Sequence, residues 1–65
     1  MTYEALQDFT IRQNGQHFTV EAGEFWLLAD EQGDEITLKR FDKEGKEDNI
    51  TINRQYLVRL FKAVR

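Results

Sequence analysis

Asn14-Gly15 constrains this chain more than any other pair of residues. A two-residue type I′ turn needs φ above zero at both central positions, and Asn-Gly tolerates that best. The pair is flanked by FTIRQ and QHFTV, residues 9–13 and 16–20, in which apolar and polar side chains alternate. Folding the chain at the turn sets Ile11 opposite Phe18, Thr10 opposite Thr19 and Phe9 opposite Val20. Each apolar side chain then meets another across the ladder, so a hairpin in this register is expected.

Further turn signals follow at Ala22-Gly23, at EQGD (31–34) and at KEGK (43–46), separating short runs rich in Phe, Ile, Val, Thr and Trp. That spacing describes an antiparallel meander, with strands expected near 8–13, 16–21, 24–30, 35–42 and 48–52. No proline interrupts the ladders. Carrying the register onward pairs Val20 with Phe25 and Thr19 with Trp26, then Ala29 with Ile36, Leu27 with Leu38 and Trp26 with Lys39. Alternation sorts these residues into two faces. Phe9, Ile11, Phe18, Val20, Phe25, Leu27, Ala29, Ile36, Leu38, Ile50 and Ile52 form the expected core, and a one-residue slip would turn a strand's whole set outward.

After Ile52 the period changes. In NRQYLVRLFKAVR, Asn53 suits a helix N-cap, and Tyr56, Leu57, Leu60, Phe61 and Val64 fall on one helical stripe with Arg54, Arg59, Lys62 and Arg65 elsewhere. TYEALQ at the front reads as a single helical turn capped by Thr2. The expected fold is mainly β: one domain over residues 1–65, a five-stranded meander closing into a small SH3-like or OB-like barrel, with the C-terminal helix against an opening or edge. Closure would remove exposed strand edges. An open α+β sheet with the helix packed on one face is the alternative.

Composition narrows the chemistry. The 65 residues contain neither serine nor cysteine, which removes two common nucleophiles, any disulfide and any Cys-based zinc site. His17 is alone, with nothing nearby in sequence to orient it as a base. The acidic loops DEQGDE (30–35) and DKEGKED (42–48) lack the alternate-position acids of an EF-hand and read as polar turns. No cofactor, metal or enzymatic activity is expected. With no apolar run near the roughly 18 residues that span a bilayer and no signal-like start, the chain is expected to be cytoplasmic and away from membranes.

Partner binding remains. FWLLA (25–29) is apolar on both faces, and the expected register puts Trp26, Leu28 and Phe41 on the side away from the core, with Lys39 across from Trp26. An aromatic patch there would anchor a protein partner, not identified by the sequence, of a monomer or weak homodimer. Nucleic acid is the alternative, with Arg54, Arg59, Lys62 and Arg65 as anion contacts. Against it, residues 1–53 carry twelve acids and five bases, and the protein's net charge is −3, whereas phosphate contacts dominate such binding. A third reading is an acidic regulator whose carboxylate loops imitate a nucleic-acid backbone.

Overall fold

The computed structural model describes residues 1–41 and 44–64. Among these residues seven strands and one short helix run in the order β1 (Thr2–Ala5), β2 (Phe9–Gln13), β3 (Gln16–Val20), β4 (Phe25–Gln32), β5 (Glu35–Phe41), β6 (Glu47–Asn53), α1 (Arg54–Leu60) and β7 (Phe61–Val64). Five of them form an antiparallel sheet in the order β6-β5-β4-β1-β7, and β2 with β3 forms a separate two-stranded ribbon. The class is mainly β, as expected, but the sheet stays open and no barrel closes. Asp42, assigned by sequence to the end of the fourth strand, lies outside the described residues.

The hairpin has the expected register, with Phe9↔Val20, Thr10↔Thr19 and Ile11↔Phe18. Asn14 (φ 53°) and Gly15 (φ 75°) both take the positive φ that the turn demands. The hairpin does not extend into β4. Instead β1 occupies that edge, pairing Tyr3 with Trp26 and Glu4 with Phe25. Ala5 N–H donates to the Glu24 carbonyl and Gly23 N–H to that of Ala5, each at 2.8 Å. The expected helical turn at TYEALQ is therefore an interior strand, flanked by β4 and by β7. Its Thr and Tyr suit a pleated surface, and ladders on both sides satisfy more backbone groups than one isolated helical turn can.

Hairpin and helix cover one face of the sheet. Trp26, Ile36, Leu38, Ile50 and Val20 are the largest fully buried side chains, joined by Ala5, Ile52, Leu57 and Phe61. Phe9, Ile11 and Phe18 pack on this core half-buried, and Phe9 meets Phe61 edge to face with centroids 5.7 Å apart. Gln13, next on the inward side of β2, uses its amide to bond both the N–H and the carbonyl of Thr51. One side chain thus satisfies part of the free edge of β6, a position otherwise open to pairing.

Asn53 caps the helix as expected, its Oδ1 accepting from Tyr56 N–H at 2.9 Å. The helix ends early. Phe61 is extended (φ −134°, ψ 160°), and β7 pairs with β1 from Thr2↔Val64 to Ala5↔Phe61. Seven residues are too few for a self-supporting helix, and the open edge of β1 offers the rest of the segment a ladder. Of the expected stripe, Leu57 and Phe61 are buried, Leu60 and Val64 half-buried and Tyr56 exposed.

Candidate interaction surface

Which side chains reach the uncovered face is decided between β4 and β5. Their turn is the two-residue Gly33-Asp34, since Gln32 pairs with Glu35. Past Glu31↔Ile36 and Asp30↔Thr37 the ladder shifts and resumes as Leu28↔Leu38 and Leu27↔Lys39. Ala29 is the extra residue of this β-bulge. A bulge changes which face every later side chain meets. Leu28 consequently joins Leu38 on the core side with Trp26 two positions on, while Phe25 and Leu27 turn outward.

The expected faces of β4 are thus exchanged. Trp26 is wholly buried, Leu28 half-buried against the core, and Phe25 and Leu27 are 59% and 40% exposed. Phe41 is on the outer face as expected, 57% exposed, and half-buried Lys39 stands across from Leu27 rather than Trp26. The cation over the Trp26 indole is Arg40, whose guanidinium carbon is 4.6 Å from the ring centroid. Arg40 also bonds Glu24 at 2.6 Å and Asp48 at 3.2 Å, so a carboxylate–guanidinium–carboxylate bridge roofs the buried ring. Sequence reasoning missed Phe25 and Leu27. The signal was the doubled apolar character of FWLLA, which requires one alternating pair to point outward without saying which.

Two cross-strand rows build the outer face. Glu47 pairs with Phe41; continuing the Leu27–Lys39 register sets Phe25 beside Phe41; Glu4 pairs with Phe25 and, on its other side, with Lys62. The next row runs Asn49, Lys39, Leu27, Thr2 and Val64. Phe25 and Leu27 lie on the central strand, and within these two rows Glu47, Glu4, Lys39 and Lys62 flank the apolar side chains. Lys62 Nζ is 3.8 Å from Glu4. Burying what remains exposed of Phe25, Phe41 and Leu27 would contribute about 2–5 kcal/mol on the usual value for a whole side chain.

Of the cations considered for nucleic acid, the three that lie among the described residues are not brought together. Arg54, at the start of α1, bonds Glu31 and the Gly33 carbonyl, and lies 4.0 Å from Asp34. The hydrogen bond that Arg54 donates to Glu31, then the charge of that carboxylate, holds the Arg54 guanidinium protonated even more firmly than usual. Arg59 is exposed five residues further along the helix, about 140° around its axis from Arg54. Lys62 is on the outer sheet face, and Arg65 lies outside the described residues. His17 is exposed on the hairpin. Among the described residues no helix is long and apolar enough to cross a membrane. Comparison with protein-family models, curated proteins and solved structures finds no match to this chain.

Proposed function

We propose that this protein is a non-catalytic interaction module that docks another polypeptide on the outer face of its five-stranded sheet. One observation carries the reading. Phe25 and Phe41, at the same end of the neighbouring strands β4 and β5, are each more than half exposed, with nothing from the described chain laid over them. Aromatic side chains in a charged rim are the composition of an interface centre. The cysteine-free sequence suits a reducing compartment, and we place the module in the cytoplasm.

A photo-crosslinking amino acid substituted in living cells at Phe25 or Phe41, and at exposed Gln55 on the helix as control, tests the reading. Crosslinks to polypeptide from positions 25 and 41, and not from 55, are the expected result. Absence of any crosslink from the sheet face, in variants with parental thermal midpoints, would refute it.

A further inference from the structure

The two rows that hold the exposed aromatics have a symmetry of charge that narrows the occupant. Among the described residues these rows carry two acids and two bases, while Asp30 and Glu35 lie further along the same face. The signs are also divided across the sheet: Glu47 on edge strand β6, Lys62 on the opposite edge strand β7.

Resting on the reading of this face as a docking surface, we propose that its occupant is a second copy of this chain, packed face to face about a two-fold axis parallel to β4. Rotation about that axis keeps each cross-strand row at its own height and reverses the order of strands. β4 then lies over β4, so Phe25 and Leu27 meet their own counterparts. β6 lies over β7, which brings each Glu47 to the second copy's Lys62. β5 lies over β1, which sets each Lys39 diagonally above the second copy's Glu4. Both opposite-charge contacts occur twice, as an isologous interface requires. Sheets stacked this way align within about 30° and sit about 10 Å apart, a β-sandwich assembled from two chains.

Size agrees with this occupant. A standard interface takes about 800 Å² from each partner, roughly a sixth of the 4788 Å² that this chain exposes. The 29 × 26 Å outline of the molecule's broadest side is of that order.

Sedimentation equilibrium of the purified full chain over a concentration series tests the proposal. The expected mass rises from 7.7 kDa to twice that value. Phe25→Glu, at an exposed position that leaves the core intact, weakens association at least about tenfold. Glu47→Lys and Lys62→Glu each weaken it severalfold, and the double swap restores most of the loss. Circular dichroism confirms that each variant is folded, and Phe41→Glu serves if Phe25→Glu is not. A dimer indifferent to both phenylalanine substitutions overturns the arrangement, as does a double swap no better than either single change. A monomer at every concentration, with position 25 crosslinking in cells to a different polypeptide, overturns the second copy but keeps the interaction module. A monomer with no crosslink from the sheet face ends both.

Discussion

Alanine at Trp26 and alanine at Leu27 should have opposite consequences from those that simple strand alternation implies, because the bulge at Ala29 decides which of the two is core. Trp26 is 0% exposed, and large-to-alanine changes at such sites cost about 3–5 kcal/mol. Loss of the Arg40 stacking at 4.6 Å adds about 0.5–1 kcal/mol. A 65-residue domain has roughly 3–10 kcal/mol in total at about 0.05–0.15 kcal/mol per residue, so Trp26→Ala is expected to unfold or nearly unfold at room temperature. Leu27 is 40% exposed and leaves no closed cavity when shortened. Only part of the usual 1.5–3 kcal/mol for a whole side chain is at stake, and Leu27→Ala should cost about 1 kcal/mol, a drop in Tm of roughly 4–8 °C. Trp26→Phe falls between them. The indole N–H is buried without a hydrogen-bond partner among the described residues, so phenylalanine also removes an unpaired donor, whose burial costs about 1–3 kcal/mol. Urea unfolding in dilute solution, where association contributes least, gives all three values. If Leu27→Ala is as damaging as Trp26→Ala, β4 has no bulge and the outer face is misassigned.

Three further outcomes test other parts of the fold. Gln13→Ala removes both side-chain bonds to Thr51, with an expected cost of about 1–3 kcal/mol; hydrogen exchange at the Thr51 amide should accelerate far more than at the ladder-paired Leu38 amide. Gly15→Ala meets nothing within 4 Å of the added methyl, so its expected cost of about 1–2 kcal/mol comes from the left-handed backbone alone, and a neutral result by thermal melting would mean that the turn is not type I′. Asn53→Ala loses the cap on Tyr56 N–H and should cost about 1 kcal/mol, whereas Asn53→Asp should retain most of the stability in the same melt.

The hairpin was legible because two local signals agreed: a turn pair with one preferred geometry, and alternation on both arms that admits one register. The same holds for Ile36, Leu38, Ile50 and Ile52, which alternate cleanly and are all buried. Asn53 was legible as a cap because a polar residue with the right side chain stands where the period changes. What escaped was non-local. Tyr3 and Glu4 carry no strong strand pattern, and β1 exists because β4 and β7 flank it. The Phe61–Val64 segment continues a helical stripe, yet pairing with β1 outweighs it. Nothing in LLAD marks Ala29 as a bulge, and that one residue exchanged half of the candidate surface, keeping Phe41 and Lys39 outward while replacing Trp26 and Leu28 with Phe25 and Leu27.

The interior position of β1, between β4 and β7, also bears on how the molecule comes together in time. The hairpin and the β4–β5–β6 meander join neighbours in sequence, and such contacts form early because little chain must be restrained to make them. The Thr2↔Val64 pairing joins positions separated by nearly the whole sequence. As the protein leaves the ribosome, β1 can dock on β4 while its other edge remains a bare row of backbone donors and acceptors until residues 61–64 emerge. A translation pause in that interval exposes a template for neighbouring nascent chains. The segment that follows α1 thus acts as the latch that removes this edge from circulation.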